Sequence, residues 1–127
     1  MDIGKITQKI VALGKKKVRF IVLFGSYASG KQTPLSDIDI AVYYDGNKEE
    51  RFKFRIKASG SLPDKVDLHV FQDLPVLIQK EVLSGKILYY KDYQFTFNEY
   101  MKVIKEFNLF EKYYNEYYQE ALKRIEA

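Results

Sequence analysis

The feature that most constrains this chain is a pair of acids at the start of an apolar segment, Asp37 and Asp39 in SDIDIAVYY. Residues 37–44 are predicted to form a strand, and side chains on a strand alternate between its two faces. Asp37 and Asp39 would therefore share one face, about 6.6 Å apart along the strand. Ile38 and Ile40 would point into the core. Two carboxylates held this close repel each other unless a cation lies between them.

The composition restricts which cation this can be. The chain contains no cysteine and a single histidine, which excludes thiolate sites and multi-histidine clusters, so any metal ligands are expected to be oxygens. Oxygen ligands of this kind suit Mg²⁺ or Mn²⁺. A third acid, Asp67, lies in the alternating segment KVDLHVF and would approach the pair from an adjacent or nearby strand, since strands lie about 4.8 Å apart. Three such acids can hold two metal ions about 3.5–4 Å apart, as in phosphoryl and nucleotidyl transfer.

A glycine and a serine, Gly25 and Ser26, directly follow the apolar run Val18–Phe24, and ten residues separate Ser26 from Asp37. The apolar run is predicted to be a buried strand, so the glycine would lie at a strand-to-helix turn. Such a turn lets the backbone approach a phosphate closely, and the amides and hydroxyl that follow donate to it. Each motif alone is a weak signal, but together, in the order strand, turn, strand, they indicate a phosphate site beside a metal site.

The remaining sequence predicts an α/β or α+β fold, in which helices flank a small mixed sheet. The segment EERFKFRIKAS fits either an edge strand or a helix, and a helix is favoured. Asp73 is expected to cap a helix with Pro75 in its first turn, and Ser26 or Ser29 to cap the short helix after the first strand. The C-terminal segment is one long helix or two that meet near Asn108. The predicted helices cover residues 1–14, 49–59, 73–85 and 95–125, and the predicted strands cover 18–24, 37–44, 65–71 and 87–90.

Length and composition indicate one soluble globular domain. The chain has 127 residues, 46% hydrophobic and 30% charged, and no segment approaches the ~18 apolar residues of a membrane span. The first residues lack the apolar core and cleavage site of a leader, so a cytoplasmic location without membrane contact is expected. The net charge of +4 is dispersed, and the lysines at 15–17 are interpreted as a solvated cluster at a helix C-terminus. Direct nucleic-acid binding is therefore not expected.

The stretch GSYASGKQTPLSDID resembles the signature of the DNA polymerase beta-like nucleotidyltransferase superfamily, a Gly-Ser followed after ten residues by Asp-x-Asp, with a third acid on a later strand. More narrowly, the chain resembles the minimal nucleotidyltransferases (MNT) encoded beside HEPN-domain partners in prokaryotic toxin–antitoxin pairs. The resemblance extends from about Val18 to Asp92 and more loosely over the C-terminal helix. It implies a polymerase beta-like fold in a single domain, 1–127, with a catalytic core at 1–92 and a helical extension at 93–127.

The resemblance implies a metal-dependent enzyme that moves AMP from ATP to a hydroxyl group. In the toxin–antitoxin members the acceptor is a tyrosine of the HEPN ribonuclease, which is silenced by the modification. Carried over by position, Asp37 and Asp39 resemble the family's metal ligands. Asp67 resembles the third acid, which binds metal or helps to deprotonate the acceptor. The expected cofactor is Mg²⁺, or Mn²⁺, and the expected partners are ATP and a HEPN-domain toxin in a hetero-oligomer.

The phosphate-binding residues are carried over in the same way. Gly25 and Ser26 resemble the family's phosphate binders. Many relatives carry an arginine where this chain has Ser29, so Lys31 would take over that cationic phosphate contact. This departure affects the expected catalytic rate more than the expected reaction type.

Two other functions stay open at this point. One is an antitoxin with the same fold that neutralises its partner by binding alone, and the other is a nucleotidyltransferase that modifies a small molecule such as an antibiotic. The intact acids argue against the first. The short chain argues against the second, because a small acceptor usually needs a second domain to wall its pocket.

Two further features also have alternative interpretations. His69 shares the predicted strand face of Asp67, either as a polar neighbour or as a functional group. The C-terminal helix carries tyrosines at one-, three- and four-residue spacing, which cover more than one helix face. They are expected either to form an interface with a second chain, the partner or another copy, or to pack against the chain's own core. These tyrosines are Tyr113, Tyr114, Tyr117 and Tyr118.

Overall fold

Four strands form one mixed sheet at the centre of the computed structural model, which describes residues 2–126. The strands are β1 (Val18–Phe24), β2 (Ile38–Tyr44), β3 (Val66–Val70) and β4 (Lys86–Tyr90). Their order across the sheet is β3-β2-β1-β4; β1 is antiparallel to both of its neighbours, and β3 is parallel to β2. Met1 and Ala127, the ends of the predicted domain, lie outside the described residues.

Helices cover both faces of this sheet. They are α1 (Ile3–Gly14), α2 (Ser26–Ser29), α3 (Lys48–Ser61), α4 (Val76–Leu83) and α5 (Tyr93–Glu126), with a 3-10 turn at Phe71–Asp73. The predicted fold class, a small mixed sheet flanked by helices with a long helix at the C-terminal end, is confirmed. Among residues 2–126, none of the helices is long and apolar enough to cross a membrane.

The alternation of side chains along the strands divides the core into two clusters, one on each face of the sheet. On β1, Ile21 and Leu23 face α1 and α3, whereas Phe20 and Val22 face α4 and α5. The first cluster adds mainly Ile6, Ile10, Ile38, Ile40, Val42, Phe54, Ala58, Val66, Leu68 and Val70. The second adds Phe24, Ala41, Phe71, Val82 and Val103. Both faces of the central strands are therefore buried.

The ambiguous segment after β2 is helical, as favoured from the sequence. Its helix, α3, begins at a capping box, in which the Asn47 side chain accepts from the Glu50 backbone N–H and the Glu50 side chain accepts from the Asn47 backbone N–H. This arrangement satisfies two donors that a helix start otherwise leaves free. The residues buried against the sheet are Phe54 and Ala58, and Phe52, two residues before Phe54, is 61% exposed.

Two local predictions are corrected by the structure, and one choice between alternatives is settled. Asp73 does not cap α4, because Pro75 occupies the N-cap position and Asp73 instead forms a 2.8 Å ion pair with Arg51. Neither serine caps α2, whose N-cap is Gly25. The C-terminal segment is a single helix that continues through position 108, since α5 contains 34 residues without interruption.

Candidate active site

The parallel pairing of β2 with β3 places two predicted site residues opposite each other. In the register of these strands Asp39 is the partner of Asp67, and two positions later Ala41 is the partner of His69. Because alternate residues share a face, Asp39, Asp67 and His69 all lie on the side of the sheet that carries α4 and α5. One ligand atom from each of the three lies within 4.8 Å of the others.

His69 lies between the two carboxylates. Its Nε2 is 3.1 Å from Oδ2 of Asp67 and 4.0 Å from Oδ1 of Asp39. The side chains of His69 and Asp39 are 24% and 29% exposed, and that of Asp67 is 49% exposed. The group is therefore half-buried and open on the Asp67 side.

Gly25 brings the turn after β1 onto this group. The antiparallel register of β1 and β2 pairs Phe24 with Asp39, so the next residue passes directly beside the Asp39 carboxylate. Gly25 has φ +75°, and a Cβ at this position would lie 2.5 Å from Oδ2 of Asp39. Both the backbone conformation and the close approach require glycine here. The predicted Gly-Ser turn thus adjoins the group that contains Asp39 and Asp67.

Ser26 is the first residue of α2, and it borders a cleft of about 360 Å³. The cleft lies between the α2 turn and the end of α4, with Ser29 on one wall and Glu81 and Ser84 on the other. The hydroxyl of Ser29 donates to the Ser26 carbonyl at 3.2 Å, which keeps Ser29 within its own helical turn. The structure therefore leaves space for a ligand next to the residues predicted to bind phosphate.

Asp37 and Lys31 lie at the edge of the site. Asp37 precedes β2 and is exposed, because the strand begins at Ile38. It is not part of the group whose ligand atoms lie within 4.8 Å of one another. Lys31 lies on the loop after α2 with an exposed side chain, and its backbone N–H donates to the Ser26 carbonyl at 3.0 Å. The sequence placed both residues near the site, and the structure places them on its solvent side.

The electrostatics of the group favour a bound cation. Burial and the charge of Asp67 raise the pKa of Asp39, and Asp37 and Glu81 add to the effect, while His69 opposes it. Negative charge is thus held where solvation is incomplete. Carboxylate oxygens with one imidazole nitrogen form a donor set that fits a divalent metal ion, so the residues present fit the metal that the resemblance implies.

His69 is the residue of this group that the sequence left undecided. The strict alternation of residues in the third predicted strand placed His69 on the same face as Asp67. What the alternation could not show is that β3 lies beside β2, which brings His69 towards Asp39 as well.

These features belong to a known class of protein. The family model described as "Polymerase beta, Nucleotidyltransferase" matches residues 7–94, and the chain belongs to this nucleotidyltransferase family. A relative from Methanocaldococcus jannaschii named "Putative protein adenylyltransferase MJ1547" is 32% identical over 97 residues, 76% of this chain and 69% of the relative. A second M. jannaschii protein, "Putative protein adenylyltransferase MJ0435", is 29% identical over 90 residues, 68% of this chain and 97% of the relative.

Solved structures show the same fold over nearly the whole chain. A toxin–antitoxin structure with AMP-PNP superposes with a TM-score of 0.73 at 25% identity, covering 99% of this chain and 100% of the other. A complex of a tri-AMPylated Shewanella oneidensis HEPN toxin with an MNT antitoxin has a TM-score of 0.66 at 23% identity, covering 98% of this chain and 96% of the other. The resemblance to the minimal nucleotidyltransferases that was noted in the sequence is confirmed.

Proposed function

We propose that this chain transfers AMP from ATP to a tyrosine hydroxyl of a HEPN-type ribonuclease toxin and thereby acts as its antitoxin. The observation that carries the proposal is the register of β1, β2 and β3, which opposes Asp39 and Asp67 and brings Gly25 against the Asp39 carboxylate. Names among the similar proteins support it: two relatives are named as protein adenylyltransferases, and one similar structure contains an AMPylated HEPN toxin.

In this proposal each side chain has a defined role. Asp39 and Asp67 hold the metal, with Asp37 on the solvent side, and Gly25 and Ser26 donate to the triphosphate. Mg²⁺ or Mn²⁺, when bound, neutralises charge that builds on the phosphates. A bond forms between the tyrosine oxygen and the α-phosphorus while the bond from the α-phosphorus to the bridging oxygen breaks, and pyrophosphate leaves.

The roles of Asp67 and Lys31 in the reaction are proposed from their positions. Asp67 is the most exposed of the three clustered side chains, so the carboxylate oxygen that the metal leaves free accepts the proton that the tyrosine loses. Lys31 on the loop after α2 carries positive charge towards the leaving pyrophosphate, in place of the arginine found in many relatives.

The partner is proposed to bind the outer half of α5, residues 108–126. Tyr114 and Tyr118 there are 57% and 52% exposed, and Phe110 is 40% exposed. Aromatic side chains at three- and four-residue spacing form a stripe along this part of the helix that includes Tyr117, and the half-buried Phe107 continues it towards the core. Exposed aromatic stripes of this kind are typical of protein interfaces.

The residues that border this stripe carry both signs of charge. With about 100° between successive residues, Glu106, Glu111 and Arg124 border the stripe, whereas Lys105, Lys112 and Lys123 lie on the opposite side. A partner surface with an apolar centre and basic residues near the two glutamates would complement it.

The test is a transfer reaction with ATP labelled at the α-phosphate. The chain is incubated with Mg²⁺ and a HEPN-domain ribonuclease, and label is expected on a tyrosine of that protein, with loss of its ribonuclease activity. ATP labelled at the γ-phosphate is the control, because AMP transfer leaves that label in pyrophosphate. Label from the γ-phosphate on the partner, or inhibition of the toxin without any label, would contradict the proposal.

A further inference from the structure

The position of His69 suggests more than a hydrogen bond to one neighbouring carboxylate. A histidine that only paired with Asp67 would approach one carboxylate, but Nε2 of His69 faces both, at 3.1 Å from Asp67 Oδ2 and 4.0 Å from Asp39 Oδ1. The ring also packs beside Phe24, with 5.9 Å between ring centroids. Phe24 thus provides an apolar wall on one side of the ring, and the carboxylates lie at Nε2.

The distances are compatible with a single ion. With ligand atoms about 2.1 Å from an octahedral ion, any two of its ligands lie between about 3.0 and 4.2 Å apart. The separations of Nε2 from Asp67 Oδ2 and from Asp39 Oδ1, 3.1 and 4.0 Å, lie in this range, and the ligand atoms of the three residues all lie within 4.8 Å of one another. One ion could therefore contact all three residues.

We propose that His69 Nε2 is a direct ligand of the metal, so that the site has two carboxylates and one imidazole and binds Mn²⁺ and other first-row transition ions in preference to Mg²⁺. This proposal deepens the proposed function, since it concerns the same metal site. Mg²⁺ takes oxygen ligands and retains its water, whereas an imidazole nitrogen favours transition ions. This proposal departs from the expectation from composition that all ligands are oxygens.

The direct test detects nitrogen in the coordination shell without any enzymatic reaction. Mn²⁺ is added to the purified full chain, and electron spin echo envelope modulation is recorded for the wild type and for His69→Gln, whose amide oxygen retains an oxygen ligand near the same place. Nitrogen coupling to Mn²⁺ is expected in the wild type and absent in the variant. An echo without nitrogen coupling in the wild type, or no bound Mn²⁺, would overturn the proposal.

Calorimetric titration with MnCl₂ and MgCl₂ supplies the second measurement. His69→Gln should weaken Mn²⁺ binding by about tenfold or more and change Mg²⁺ binding little, so the ratio of the two affinities falls. An unchanged ratio would contradict a direct nitrogen ligand. His69→Ala serves as a second variant, and far-ultraviolet circular dichroism checks that both variants are folded.

The two proposals can fail separately. If nitrogen-coupled Mn²⁺ is observed but no AMP is transferred, the metal assignment stands and the proposed reaction is wrong. If AMP is transferred with Mg²⁺ and Mn²⁺ alike and the echo shows no nitrogen, the reaction stands and the role of His69 is wrong.

Discussion

Two regions differ in how their side chains are positioned: the end of the sheet that carries Asp39 and Asp67, called the acidic end of the sheet, and the outer half of α5. Asp39 and Asp67 are paired across two strands whose alternate residues are buried, so the sheet register sets their separation. Tyr114 and Tyr117, by contrast, are 57% and 76% exposed on a helix that extends beyond the core. Exposed side chains usually contribute little to the stability of their own fold. We therefore expect catalysis and partner recognition to be separable by substitution.

The largest effect is expected for Asp39→Asn. Loss of one metal-binding carboxylate removes charge stabilisation of the transition state and should lower AMP transfer by about a thousandfold or more. Since burial and Asp67 raise the pKa of Asp39, removing its charge should leave the melting temperature equal or higher. Initial rates with α-labelled ATP and a thermal melt measure both.

Asp64→Asn is the matched control, because Asp64 is an exposed aspartate outside the metal group. It should transfer AMP at the wild-type rate. Full activity of the Asp39 variant in Mg²⁺, or an equal loss in both variants, would show that the acidic end of the sheet is not the catalytic centre.

Gly25→Ala is expected to have the next largest effect. The added Cβ would lie 2.5 Å from Asp39 Oδ2, so the turn or the carboxylate must shift, and displacement of about 1 Å at a reacting centre costs about 100-fold in rate. Gly30→Ala is the control for the same residue change at the other end of this turn: Gly30 also has a positive φ, +74°, but its ψ of 13° lies in the left-handed helical region, and no atom lies within 4 Å of the new Cβ. Steady-state rates of the two variants that differ by less than tenfold would refute the importance of Gly25 for the site.

The double substitution Tyr114→Ala and Tyr118→Ala tests the other region. If these tyrosines anchor the partner, affinity should fall by about 2 kcal/mol or more, about 30-fold, while transfer to a generic hydroxyl acceptor persists. Tyr93→Ala is the control, an exposed tyrosine at the start of the same helix. Titration calorimetry measures the affinity for the partner, and the mass of the chain in solution reports its self-association. Unchanged affinity would reject the docking surface, and a loss of self-association instead would identify a second copy as the occupant.

The smallest effect is expected for Tyr100→Phe, in the part of α5 that packs on the sheet. Within residues 2–126 the buried Tyr100 hydroxyl has no hydrogen-bond partner, and burial raises its pKa to about 12. Removing it should change the free energy of unfolding by about 1 kcal/mol or less, towards greater stability. Partner affinity should not change.

The same variant should alter the pH dependence of stability. The phenol ionises near pH 10 when unfolded and near 12 when folded, so its contribution is present below pH 10 and is lost as the pH rises to 12. Urea titrations at pH 9 and 11 should show a smaller loss of stability for Tyr100→Phe than for the wild type. An equal loss would mean that this phenol is not responsible.

The sequence predicted the elements well where one residue pattern dominates. The continuous apolar run of β1 was recovered with both of its observed ends, and the amphipathic α1 was recovered with its observed end at Gly14. The sequence does not indicate which face of α3 is buried, because Phe52 and Phe54 are equally apolar. Only the position of the helix on the sheet buries Phe54 and exposes Phe52. The N-cap of α4 was predicted wrongly, because Asp73 forms an ion pair with Arg51, which is distant in sequence, and Pro75 takes the N-cap position.

The sequence named candidate site residues but not their arrangement. The spacing of Gly25 and Asp39 indicated a common site, and the structure joins them through the pairing of β1 with β2. Asp67 was placed only on an adjacent or nearby strand, because local patterns do not encode strand order. For the same reason His69 stayed undecided: its approach to Asp39 depends on β3 lying directly beside β2 in parallel register.

The most direct test of the account is the intact mass of the HEPN-domain partner after reaction with ATP and Mg²⁺. With the wild-type chain we predict a mass gain of one or more AMP groups, located on tyrosine by fragmentation, and no gain with Asp39→Asn although that variant still binds the partner. A partner that keeps its original mass while the wild-type chain silences it would contradict the central claim, and would identify the chain as an antitoxin that acts by binding alone.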